Sequence, residues 1–123
     1  MQKQKFTKDS IQANRPTLFI LYNSDCEHCQ YEASEITKFA NAFKTTNILF
    51  ISNQPYPEIN QFDSIYHLTQ YPFIKLLKDS TDNFYKIFGT SVVPSLIIYN
   101  SKSELVKNYK GEVNVLKVID QLK

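Results

Sequence analysis

A chain of 123 residues is room for one domain, and at this size folding buries roughly two thirds of the unfolded surface, so no disulfide or metal staple is required. Hydrophobic residues at 42% and aromatics at 14% exclude a disordered chain. A net charge of +2 with both signs dispersed, a single arginine (Arg15) and no Gly-rich phosphate loop argue against nucleic acid. No apolar run approaches the roughly 18 residues of a membrane span. The expected organisation is a single domain over 1–123 with residues 1–15 as a lead-in. The opening Met1-Gln2-Lys3-Gln4-Lys5-Phe6 has charge but no apolar core of a signal peptide. A cytosolic start and a chain from which a leader or anchor was removed both stay open.

In chain order, a short helix is expected from Asp9 to Asn14, ended by Pro16. Thr17 to Tyr22 reads as a strand apolar on both faces, as a buried parallel strand is. Ser24 and Glu27 have the form of a capping box. A helix from about Cys26 to Phe43 follows, with Cys29, Ala33, Ile36, Ala40 and Phe43 at i, i+4, i+7, i+11 and i+14. Ile48 to Ser52 is a second buried strand. Pro57 suits the first turn of a second helix, whose inner face is expected to hold Ile59, Phe62, Ile65, Tyr66 and Thr69.

A short strand within Tyr71–Leu77 comes next, and then a helix from Asp79 to Phe88. That helix is expected to be capped by Asp79 or Ser80, to face Phe84, Ile87 and Phe88 inward, and to end at Gly89. Ser95 to Tyr99 is a strand, Asn100 to Ser103 a turn, and Leu105 to Tyr109 an exposed antiparallel strand. Val115, Val118 or Ile119, and Leu122 mark a last amphipathic helix. The order β-α-β-α-β-α-β-β-α predicts an α/β fold: parallel strands joined by helices, an antiparallel hairpin at the end, and helices on both faces of a central mixed sheet.

The chain's only cysteines, Cys26 and Cys29, stand two residues apart where the first strand hands over to the first helix. A C-x-x-C so placed is the redox arrangement. The first sulfur meets unpaired backbone N–H groups and the positive end of the helix dipole, which favour a thiolate. The second lies about one turn on, close enough to close a disulfide. Three plainer readings stand beside this: two small buried apolar residues, an inert disulfide, or half of a metal site. Zinc wants four ligands, or three and a water. His28 points off the cysteine face and only His67 lies elsewhere, so no metal site is expected.

With Cys26-Glu27-His28-Cys29 after a buried strand, Val93-Pro94 just before a later buried strand, and a hairpin and helix at the end, the chain resembles thioredoxin-fold proteins. More narrowly it is similar to the TlpA/ResA-like thiol-disulfide oxidoreductases, in which a glutamate stands three residues beyond the C-x-x-C, as Glu32 does here, and a helix and strand are inserted near Pro57 to Leu77. The resemblance spans about residues 16 to 122. It implies exchange of a Cys26–Cys29 disulfide or dithiol with protein or peptide partners, the reductase direction weakly favoured, with an upstream thiol donor or acceptor, no cofactor, a monomeric state and an extracytoplasmic site of action; a cytoplasmic one stays open. It also implies a cis peptide at Pro94 that turns the backbone of Val93 toward substrate, for pairing by strand addition.

Two departures are visible. Asp25 stands where the family has a tryptophan, and Ile20 where thioredoxins proper bury an acid. Glu32 is the candidate to move the proton of Cys29; its plainer reading is a helix acid favoured by the dipole. Glu27 and Asp25 oppose a Cys26 thiolate, and a protonated His28 favours it. Two other functions compete. A thiol peroxidase shares the fold, but the positions that would carry its proline and threonine hold Phe19 and Asn23, and no arginine follows Cys26. A non-catalytic binding module would account for the missing tryptophan and acid.

Overall fold

The computed structural model describes residues 11–122. Five strands form one sheet in the order β3-β2-β1-β4-β5: β1 (Thr17–Leu21), β2 (Asn47–Ser52), β3 (Ile74–Lys78), β4 (Ser95–Tyr99) and β5 (Leu105–Lys110). β1, β2 and β3 run parallel; β4 lies antiparallel to β1, and β5 to β4. Four helices complete the expected order: α1 (Glu27–Lys38), α2 (Tyr56–Tyr66), α3 (Asn83–Ile87) and α4 (Val115–Gln121).

β1 is the centre. Every one of its residues is buried because both faces of the strand carry core. The two-residue period of a strand sends Leu18 and Ile20 to one face and Phe19 and Leu21 to the other. The first face packs on α1 (Cys29, Ala33, Ile36), α2 (Ile59, Phe62) and α4 (Val115, Val118). The second packs on Phe84 and Phe88 at the short α3. An aromatic group anchors the larger side: Phe62 lies 4.5 Å from Tyr22 and 4.7 Å from Tyr66, ring centre to ring centre.

Several local expectations are corrected. The expected Asp9–Asn14 helix falls partly outside the described residues, and Ile11–Asn14 form no helix. Their backbone is held by a side chain: Gln12 N–H donates to Asn47 Oδ1 at 3.0 Å, and Asn47 Nδ2 donates to the Gln12 carbonyl at 2.9 Å. α1 stops at Lys38, and a 3-10 turn, Ala40–Phe43, continues. Phe43 is still fully buried, so the apolar period runs on although the α-helix does not. On α2, Ile65 is 57% exposed; the buried residues are Ile59 and Phe62, with Tyr66 packed against the same core. Thr69 is not on that helix, which closes at His67 in the left-handed region. Asp63 instead accepts from Thr69 N–H at 2.8 Å and from its hydroxyl at 2.6 Å.

α3 is shorter than expected, and Ile87 is 70% exposed rather than inward. The N-cap of α3 is Asp82, in the left-handed region, rather than the expected Asp79 or Ser80. Asp79, three residues earlier, still serves the first turn of the helix, its two carboxylate oxygens accepting from Asn83 and Phe84 N–H at 2.9 and 2.8 Å. Gly89, at φ +64°, ends it as expected. β5 is an exposed edge strand, also as expected.

Because Phe62 is buried to 2% and stacks between two tyrosines, Phe62→Ala should destabilise the fold by about 3–5 kcal/mol. Urea unfolding of the two proteins measures it.

Candidate redox site

β1 ends at Leu21, and Tyr22 extends it by donating its N–H to the Ile51 carbonyl at 3.0 Å. The chain then turns through Asn23 to Asp25. Cys26 N–H donates to the Asn23 carbonyl at 3.1 Å, and the Cys26 carbonyl accepts the first bond of α1, from Gln30, at 3.0 Å. The N-cap of α1 is therefore Cys26 itself, and its side chain accepts from Cys29 N–H at 3.2 Å. This corrects the expected Ser24–Glu27 capping box. Ser24 lies a step too early and is held by Gln54 instead: Gln54 Nε2 donates to Ser24 Oγ at 3.0 Å, and Ser24 N–H donates to Gln54 Oε1 at 2.8 Å.

The two sulfurs have different surroundings. Both are free thiols, Cys26 half-buried and Cys29 buried. Burial pushes the Cys29 thiol well above its ordinary range; the hydrogen bond to Cys26 and the nearby charge of Glu32 push the same way, while the Asn23 backbone N–H opposes them. Cys26 Sγ lies 3.7 Å from the Val93 carbonyl, the acceptor for its thiol hydrogen. The Val93–Pro94 peptide is cis. Residue 93, far from the cysteines in sequence, thus stands beside the half-buried sulfur. Val93 also borders a cleft of about 420 Å³ lined by Asn23, Asn53, Asp82, Tyr85 and Ser91.

Glu32 is fully buried on α1. Its Oε1 accepts from Val113 N–H, and its Oε2 has no hydrogen-bond partner. Burial raises its pKa to about 7; the Val113 N–H lowers it, and the charges of Glu112 and Glu35 raise it. A carboxyl that titrates near neutrality can give and take protons in that range, and its charge acts on the buried thiol. His28 is 72% exposed, and its Nδ1 lies 2.9 Å from Glu112 Oε1. That is the partner the structure gives it, rather than the Cys26 sulfur. Glu27 is exposed in the first turn of α1. Ile20 is buried in the same core cluster as Cys29, so this strand position is apolar, and the buried acid is Glu32, on α1.

Sequence reasoning missed Glu112, Val113 and Tyr85. Tyr85 donates its hydroxyl to the Tyr22 carbonyl at 3.4 Å, and burial pushes its pKa up to about 12. Nothing in periodicity or spacing marks a turn residue such as Glu112, whose partner lies 84 positions away.

The sheet order, the four helices and the cysteine pair at the end of β1 make this a thioredoxin-fold protein. No family model matches the chain, and no curated protein matches it. Solved structures do. A secreted disulfide oxidoreductase of Mycobacterium tuberculosis, described as homologous to E. coli DsbE, has TM-score 0.76 at 14% identity, over 89% of this chain and 81% of that one. StoA from Bacillus subtilis has TM-score 0.75 at 17% identity, over 91% and 85%. The peroxidoxin BcpB from Mycobacterium tuberculosis has TM-score 0.71 at 15% identity, over 87% and 77%. The expected thioredoxin fold is thereby borne out. These neighbours include a protein described as a disulfide oxidoreductase and one described as a peroxidoxin, so the reaction must be argued from the site.

The Glu32 environment has a measurable consequence for stability. Its folded pKa, about 7, lies above the ordinary value of 4.5. The folded state therefore holds a proton that the unfolded chain releases. That stabilisation is fully present below pH 4.5 and is lost as pH rises through about 7. Denaturation curves should show wild type losing on the order of 3 kcal/mol over that window, relative to Glu32→Gln, whose profile lacks this component.

Proposed function

We propose that this protein is a thiol-disulfide oxidoreductase acting on protein or peptide disulfides. The observation that carries the reading is the asymmetry of the pair. One sulfur is reachable, caps a helix and lies against the Val93 carbonyl, and the other is buried behind it.

In the reducing direction, the Cys26 thiolate attacks a substrate disulfide. A Cys26–substrate mixed disulfide forms, and the departing substrate thiolate takes up a proton. Glu32 removes the proton of Cys29, and the resulting thiolate attacks Cys26 Sγ. The mixed disulfide breaks, the second substrate thiolate leaves and is protonated, and a Cys26–Cys29 disulfide remains. Two electrons have passed to the substrate. An upstream dithiol donor restores the pair by the same exchange. The oxidising direction is the reverse of these steps. The backbone of Val93, beside the cleft, is the edge on which an extended substrate segment is read as lying, with Pro94 fixing its course. By analogy with the secreted neighbour, the site of action is outside the cytoplasm.

The peroxidase reading is not favoured. The only arginine, Arg15, precedes β1 and donates to the Lys44 carbonyl at 3.5 Å. The length of a five-residue strand separates it from the cysteine end of β1.

Cys29→Ser, incubated with reduced-and-reoxidised insulin, should accumulate a mixed disulfide visible on a non-reducing gel. Cys26→Ser should form none and lose insulin reduction by at least about a hundredfold. Glu32→Gln should still form the mixed disulfide but resolve it about 10- to 100-fold more slowly at pH 7. Full insulin reduction by Cys26→Ser would end this reading.

A further inference from the structure

Between β5 and α4 the chain turns through Gly111-Glu112-Val113. Each residue of this turn is bonded to a different part of the cysteine site. Gly111 N–H donates to the Pro94 carbonyl at 2.8 Å. Glu112 Oε1 meets His28 Nδ1 at 2.9 Å. Val113 N–H donates to the buried Oε1 of Glu32. Pro94 follows the residue beside Cys26, His28 stands between the cysteines, and Glu32 lies about one turn beyond Cys29. The turn is a third wall of the site. Gly111 holds φ +112°, a conformation that L side chains rarely adopt.

Two groups on this wall act on Glu32 in opposite senses. The Val113 N–H stabilises its carboxylate, and the charge of Glu112 disfavours it. Both depend on the turn's seat against α1: Val113 is buried in the core cluster that holds Cys29, Ala33 and Ile36, and Glu112 is hydrogen-bonded to α1 through His28. The titratable groups facing Glu32 are Cys29 and Glu35 from α1 and Glu112 from the turn. Tyr31, exposed on α1, is coupled to Glu32, Glu35 and Glu112.

We propose that His28 and Glu112 are a positioning pair for Glu32: together they hold the 111–113 turn on the helix that carries both cysteines, and so fix the surroundings in which Glu32 gives and takes the resolving proton. The role for the pair rests on the reading of Glu32 as proton carrier. The bond between turn and helix, and its effect on the Glu32 carboxyl, can be measured without turnover.

The test uses the full chain, with wild type, His28→Ala and Glu112→Gln compared by NMR after circular dichroism has confirmed that each is folded. The first readout is hydrogen exchange of the Val113 amide. An exposed pair of this kind is a modest latch, so His28→Ala should speed exchange about two- to fivefold. The second is the titration of the Glu32 carboxyl carbon, assigned with Glu32→Gln. Glu112→Gln keeps the shape and removes a negative charge, so the midpoint should fall by on the order of half to one pH unit. If either quantity is unmoved in a folded variant, the proposal is overturned. Both shifts together, in a protein whose Cys26 exchanges with no disulfide, would uphold the coupling of the pair to Glu32 and remove only the oxidoreductase reading.

Discussion

One hydrogen bond organises the site: the Cys29 N–H of the first turn of α1 reaching the Cys26 sulfur at 3.2 Å. A helix leaves its first N–H groups without partners, and a side chain at the N-cap normally supplies an oxygen. Here the acceptor is sulfur. The bond exists because β1, buried on both faces at the middle of the sheet, delivers the chain to the start of α1, and because α1 is then pinned by Cys29, Ala33 and Ile36 in the core. The same pinning turns the second sulfur inward. A single constraint, a buried strand feeding a helix that begins at a thiol, thus gives the two cysteines different surroundings.

The second constraint is the cost of burying Glu32. A carboxyl with no exposure, one oxygen bonded to a backbone N–H and the other unpartnered is expensive to ionise. A core built for stability alone would place an apolar residue there, as it does at Ile20. The placement makes sense if the carboxyl is wanted near its point of neutralisation, close enough for its charge to act on the buried thiol. Under the proposed function, proton transfer and stability pull in opposite directions at this residue, and the fold tolerates it because the larger core around Tyr22, Phe50 and Phe62 is extensive.

Much of this was legible in the chain itself. Element order could be read because the strands are apolar runs and the helices carry period-3.6 stripes, and Cys26, Cys29 and Glu32 could be placed by spacing along one helix. What was misread has physical reasons. Ser24 looked like the cap because serine usually is, but the thiol two residues on sits at the geometric N-cap. Helical spacing puts Ile65 on the inner face of α2, and Ile87 is grouped with Phe84 and Phe88, yet their helices present other residues to the core. Glu112 left no trace in the sequence, since its role depends on a turn that the closing hairpin brings to the start of α1. Long-range placement of a single polar residue is what periodicity does not encode.

The central claim is that one thiol is presented to partners and the other is sealed behind it. Site-resolved alkylation of the reduced, folded protein with iodoacetamide at neutral pH, followed by mass spectrometry of the peptides bearing each cysteine, tests this most directly. The account predicts that Cys26 is modified at least about a hundredfold faster than Cys29. Equal rates, or Cys29 reacting first, would contradict it.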